Sequence, residues 1–143
     1  MDAPQVPPSP EMPFRTRLRT RWSDEDNQSV LNNPVYMTLF EEARHAYFSE
    51  HGMLSENKFP FLLLQTNVRF VAPGRGGEGV FVELATTHAG RSSFSQAYRV
   101  RSADGETWCE AEAVLVLVDA ETGRAAPMSD AFRTALGAAL TES

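Results

Sequence analysis

The sequence predicts an α+β domain in which one long helix packs on an antiparallel sheet of five strands. Three observations carry that expectation. Residues 14–22, FRTRLRTRW, alternate with period two, as a half-exposed strand does. Residues 34–50 carry one apolar stripe at helical spacing. Four further strand-like segments then follow one another between residues 62 and 119, separated by turn signals, which places the helix on one sheet face.

Taken in order, residues 1–13 hold five of the nine prolines and read as a flexible, polyproline-like tail ahead of a single domain at 14–143. In the first strand Phe14, Leu18 and Trp22 share a face with Thr16 and Thr20. Arg15, Arg17, Arg19 and Arg21 share the other, a solvated or subunit-contacting row. Asn33 is a favourable N-cap and Pro34 fits the first helical position. Tyr36, Phe40, Ala43 and Tyr47 form the stripe, Leu39 widens it, and Gly52 supplies a left-handed stop. Strands are expected at 62–71, 79–88, 93–102 and 108–119. Asp104-Gly105 marks a hairpin, and Cys109, Ala111, Ala113, Leu115 and Leu117 fall on one face. Residues 129–140, SDAFRTALGAAL, read as a short terminal helix. One helix cannot cover both faces and the edges of such a sheet, so a homo-oligomer is expected.

Composition narrows the function. The chain has 143 residues, 42% apolar and 22% charged, which suits one soluble domain. A net charge of −6 disfavours nucleic acid as the partner. Cys109 is the single cysteine, so no intrachain disulfide forms, which suits a reducing cytoplasm. The first residues lack a secretory pattern, and runs such as AVLVLV fall far short of the roughly 20 residues of a membrane span. A cytoplasmic protein without a membrane span is the expectation.

Among chemical candidates, the acidic knot Asp24-Glu25-Asp26 fails as a calcium loop, because Ser29 and Val35 stand where glycine and a bidentate glutamate are needed. His45 and His51 are six apart and do not share a helical face, so no zinc site is expected, nor any other metal or cofactor. Cys109 reads as a small core residue. No G-x-S-x-G elbow exists, and GRGG at 74–77 lacks the Lys-Ser/Thr ending of a phosphate loop. There remains a carboxylate ahead of a helix N-terminus, whose free N–H groups favour negative charge and can polarise a carbonyl oxygen. Composition alone favours a solvated turn for the three acids, and spacing does not decide between turn and catalytic site.

The stretch RTRWSDEDNQSVLNNPVYMTLFEEARHAYF resembles the first motif of the 4-hydroxybenzoyl-CoA thioesterase-like, hotdog-fold acyl-CoA thioesterases. The matching positions are Asp24-x-Asp26, Asn32-Asn33, Tyr36 and Phe40-Glu41-Glu42-Ala43-Arg44, and the element order agrees over about residues 14–120. The resemblance implies a hotdog fold, a long helix wrapped by an antiparallel five-stranded sheet, paired into a homodimer or homotetramer. It implies hydrolysis of an acyl-CoA or acyl-carrier-protein thioester. Asp26 would be the nucleophile or general base, and the N–H at Asn33 would polarise the carbonyl. Glu41 matches the helix acid used in another branch, or a substrate contact. Tyr36 would bind substrate, and Arg91, in GRSSF, would hold the CoA phosphates.

Two departures stand out. Ser29 replaces the family's loop glycine, and PGRGGEG lacks its usual Gly-Asp. A hotdog dehydratase would need a histidine a few residues after the acid, and the next after Asp26 is His45. A non-catalytic acyl-thioester-binding module is the alternative from another class, with Ser29 as its main support.

Overall fold

A computed structural model describes residues 11–137. Residues 1–10 of the expected tail, and 138–140 of the expected terminal helix, lie outside the described residues. The chain runs β1 (Phe14–Arg19), α1 (Asn33–Glu50), β2 (Phe61–Phe70), β3 (Gly79–Ala89), β4 (Ser93–Ser102), β5 (Thr107–Leu117) and α2 (Asp130–Leu136). All strand pairs are antiparallel, in the spatial order β1-β3-β4-β5-β2. This is the α+β sheet-and-helix architecture of the hotdog fold. Because α1 joins the two edge strands β1 and β2, it must cross the full width of one sheet face.

That face is apolar for the reason the alternation implies. Val80, Val82 and Leu84, Phe94, Tyr98 and Val100, and Cys109, Ala113 and Leu115 all point toward α1 and are buried. From the helix, Tyr36, Leu39, Phe40, Ala43, Tyr47 and Phe48 answer them. Phe48 centres an aromatic cluster, with ring centroids 5.0 Å from Phe61, 5.9 Å from Phe94 and 6.0 Å from Phe132. Phe40, Tyr47 and Phe61 are therefore core residues. So is Cys109, whose thiol burial pushes up to about 12.

The core also holds a charge. Arg44 is buried against Tyr98, donating to its hydroxyl at 3.1 Å, and Tyr98 donates onward to Gln96 at 2.7 Å. Among the described residues no carboxylate answers Arg44, and its Nε has no partner. The small side chains Ala111 and Ala113 on β5 keep the sheet surface low beside it.

The opposite face is ionic. Directly paired positions place Arg15, Glu83, Arg99, Glu110 and Arg69 in one row across all five strands. Arg99 lies 3.5 Å from Glu83 and 3.2 Å from Glu110, and Arg101 adds a contact to Glu83 at 3.1 Å. Arg15 also stacks over Phe81 at 4.2 Å. The arginine row of β1 thus sits on its own sheet. Glu11 reaches Arg99 at 3.1 Å and Met12 is only 4% exposed, so chain assigned to the tail packs on this face.

Two local expectations need correction. Trp22 is not on a strand face: β1 stops at Arg19, residues 22–24 form a 3₁₀ turn, and Trp22 is 81% exposed. The cause is Asp24, whose carboxylate takes both the backbone N–H and the guanidinium of Arg21 and folds the chain back. The N-cap is Asn32, with Asn33 first and Pro34 second in the helix. A missing N–H is as harmless in the second position as in the first, since neither has an intrahelical acceptor.

Candidate active site

The three acids of the knot take three different partners. Asp24 is buried and binds Arg21, and its backbone carbonyl accepts the Asn32 N–H at 2.8 Å. Burial pushes its carboxyl up, but the hydrogen bonds and charge of Arg21 outweigh that and hold it below its usual value. Glu25 accepts the Gly76 N–H at 2.9 Å, tying the knot to the loop before β3. Both are supports.

Asp26 is different. It is half-buried at the mouth of a small hairpin closed by its own N–H to Val30 O at 2.8 Å and by the Ser29 N–H to its carbonyl at 3.0 Å. One carboxylate oxygen, Oδ1, accepts the Gln28 N–H at 2.8 Å and faces that of Val30 at 3.5 Å. The bonds orient the carboxylate through one oxygen and leave Oδ2 without a protein donor among the described residues.

The hairpin opens onto a groove of about 490 Å³ lined by Gln28, Val30, Leu31, Asn33, Tyr36, Phe70, Val71, Ala72, Pro73 and Gly74. The residues that hold the Asp26 carboxylate therefore line the same space as the start of α1. The side chain of Asn32 makes no cap bond, and the Asn33 N–H takes no acceptor among the described residues. Tyr36, one turn further on, is 2% exposed and reaches the groove. Asn33 and Tyr36 thus line one groove, and Asp26 adjoins it through Gln28 and Val30 without lining it.

Glu41 and Arg91 are not. Glu41 is exposed on the outer side of α1, eight residues or roughly 12 Å along the axis from Asn33. It lines a separate pocket of about 350 Å³ with Leu18, Glu42, His45, Ala46 and Phe59. Arg91 is exposed in the turn between β3 and β4. The knot adjoins the start of β3, so the length of that strand, about 33 Å, separates the two within one protomer. Among the described residues no cluster of His, Cys, Asp and Glu could hold a metal ion, and no helix is long and apolar enough to cross a membrane.

Residues 20–136 match the thioesterase-like superfamily. The chain belongs to that superfamily. The match takes in the knot, α1 and the whole sheet except β1. The acyl-CoA thioester hydrolase YbgC of Escherichia coli is 26% identical over 111 residues, 74% of this chain and 82% of its own. An uncharacterised Bacillus subtilis protein, YsmA, is 29% identical over 82% of this chain and 80% of its own. The solved thioesterase of Thermus thermophilus, complexed with coenzyme A and zinc, superposes with a TM-score of 0.79 at 31% identity, covering 90% of this chain and 95% of that one.

Two features of this superfamily member, the packing of Gly74 and the backbone conformation of Ser29, are added by the structure. Gly74 is one: its carbonyl accepts the Leu31 N–H at 2.9 Å, and a Cβ there would stand 2.4 Å from the Tyr36 hydroxyl and 2.8 Å from Trp108. The glycine-rich run is visible in the sequence, but not which glycine is packed. Ser29 is the other, with φ at +63°. The position calls for a left-handed residue, which explains why the resembled family keeps glycine there.

Proposed function

We propose that this thioester hydrolase cleaves an acyl-CoA or acyl-carrier-protein thioester to free acid and thiol, with Asp26 as nucleophile or general base. The Asn33 N–H at the helix start polarises the thioester carbonyl. One observation supports the reading: the residues whose N–H groups face one oxygen of the Asp26 carboxylate, Gln28 and Val30, line a groove shared with Asn33, whose helix N–H is unpaired among the described residues. The geometry suits both routes. Oδ2 can attack the carbonyl carbon to give an anhydride that water opens, or it can take a proton from water as that water attacks. In either route water supplies the oxygen gained by the acid, and the thiol leaves.

Tyr36 belongs to the substrate groove, and Arg91 reaches the CoA phosphates only from another copy of the chain. That requirement agrees with the free edge of the sheet. Among the described residues β2 pairs only with β5, and Leu62, Leu63, Leu64, Phe70 and Val71 along it are 58, 41, 63, 49 and 49% exposed. An unpaired apolar edge of this kind recruits another strand. We place a second copy there, continuous with the groove through Phe70 and Val71. Sedimentation would show a dimer for the full chain and a monomer for Leu64→Lys, and a monomeric parent protein would remove the proposal.

Turnover is tested with a panel of acyl-CoAs and a free-thiol readout. Asp26→Asn is expected to lower kcat by at least about a hundredfold with the fold intact. Equal rates would sink the assignment of Asp26. Activity lost in Glu41→Gln but kept in Asp26→Asn would move the chemistry to the helix acid. Saturable binding of acyl-CoA without turnover would favour the non-catalytic binding module.

A further inference from the structure

The chain has three tyrosines, and two of them have their hydroxyls engaged. Tyr98 accepts from Arg44 and donates to Gln96, and Tyr47 donates to the Leu136 carbonyl at 3.1 Å. The Tyr36 hydroxyl has no hydrogen-bond partner among the described residues, although the side chain is 2% exposed. The Tyr36 hydroxyl is not among the fully buried polar atoms without a partner, so this oxygen keeps access to the groove that the residue lines, while phenylalanine would fill the same volume. The ring itself has full packing, with Phe70 at 5.6 Å.

The hydroxyl sits where a side chain at residue 74 would stand. Gly74, whose added Cβ would fall 2.4 Å from Oη, lines the same groove as Tyr36 and is held there by the Leu31 N–H. Tyr36 also lies one helical turn after Asn33, on a neighbouring part of the helix surface. Asn33, with an unpaired N–H, and Tyr36, with an unpaired hydroxyl, thus line one groove.

We infer that the Tyr36 hydroxyl donates a hydrogen bond to a carbonyl oxygen of the bound thioester substrate, and that Gly74 is the positioning residue that leaves it room to do so. Two carbonyls of such a substrate fit, the thioester carbonyl and a pantetheine amide. The inference rests on the groove being the active site, as proposed above. Burial, reinforced by the neighbouring Cys109, pushes the phenol up to about 12, so it stays a neutral donor through the working range.

Tyr36→Phe is the test, measured as kcat, KM and thermal midpoint on the full chain. The expected result is a loss of roughly 10- to 100-fold in kcat/KM. The midpoint should stay within about 2 °C or rise, because no protein hydrogen bond is removed. A loss confined to kcat identifies the thioester carbonyl, and a rise confined to KM identifies the amide. Unchanged kcat and KM would overturn the inference. So would a midpoint that falls while activity is retained, since that pattern belongs to a structural hydroxyl. Gly74→Ala should reproduce the activity loss together with a lowered midpoint. If Asp26→Asn is inactive while Tyr36→Phe is fully active, only this inference fails. If Asp26→Asn is active, the groove reading fails first.

Discussion

At its C-terminus α1 closes its hydrogen bonds with a cap, whereas at its N-terminus the Val35 N–H bonds to Asn32 and that of Asn33 has no acceptor among the described residues. Met53 donates to the Phe48 carbonyl at 2.8 Å and Gly52 to that of Ser49 at 3.1 Å, the paired bonds of a Schellman cap, with Gly52 at φ +66°. Phe48 beneath that end is surrounded by four other phenylalanines. At the other end Asn32 can cap but its side chain does not, the first turn carries no acid, and Asn33, whose N–H has no acceptor among the described residues, lines the groove. Nothing in the local sequence forbids a cap there. One end of the helix is closed by its cap, and in the proposed function the other end offers its partial positive charge to the substrate.

Closing the open end and loosening the closed one should therefore have opposite readouts. Asn32→Asp adds a favourable negative charge at the helix start, worth about 0.3–1 kcal/mol of stability. The same charge opposes negative charge developing on the substrate oxygen, so turnover should fall about tenfold, or about 1.4 kcal/mol in the barrier. Unchanged kcat in that variant would mean that the helix start does not face the reacting carbonyl. Gly52→Ala meets no atom within 4 Å, so its effect is the left-handed backbone alone. A loss of about 1 kcal/mol in chemical denaturation is expected, with kcat unchanged. A fall in kcat there would break the division between the two ends.

Most of the architecture was legible because it follows from periodicity. The stripe Tyr36, Phe40, Ala43, Tyr47 is buried as its spacing requires, and the period-two strands place Cys109 to Leu117 on the helix side. What periodicity misses is set by neighbours distant in sequence. Glu83 lies on the sheet face away from the helix, yet it is fully buried, because Arg99 and Arg101 of the adjacent strand close over it. Arg44, a helix cation, lies inside against Tyr98, which is far along the chain on β4. Trp22 continues the strand alternation on paper, but the short-range bond between Arg21 and Asp24 ends the strand first. For the site, the resemblance singled out Asp26, and the hydrogen bonds explain why it differs from its neighbours: Asp24 and Glu25 are engaged on arginine and loop, while Asp26 keeps one oxygen free. Gly74 could not be told from the other glycines of its loop, because its importance lies in Tyr36 and Trp108 above it.

The smallest effect concerns Ser29, which sharpens the contrast between structure kept for stability and structure kept for function. Its left-handed φ of +63° supports the turn that presents Asp26, and its side chain is exposed. A non-glycine residue in this conformation is disfavoured by about 1 kcal/mol or more. Glycine in its place would relieve that, but would also enlarge the entropy of the unfolded chain by roughly 0.5–1 kcal/mol. Ser29→Gly should therefore gain a few tenths of a kcal/mol, visible as a small rise in the urea midpoint at constant slope. Because the turn keeps its hydrogen bonds, kcat should stay within about twofold. A tenfold rise in kcat would instead show that the serine side chain obstructs substrate beside Asp26. In that case the substitution at the glycine position would be a brake on the reaction and not a tolerated strain in the loop.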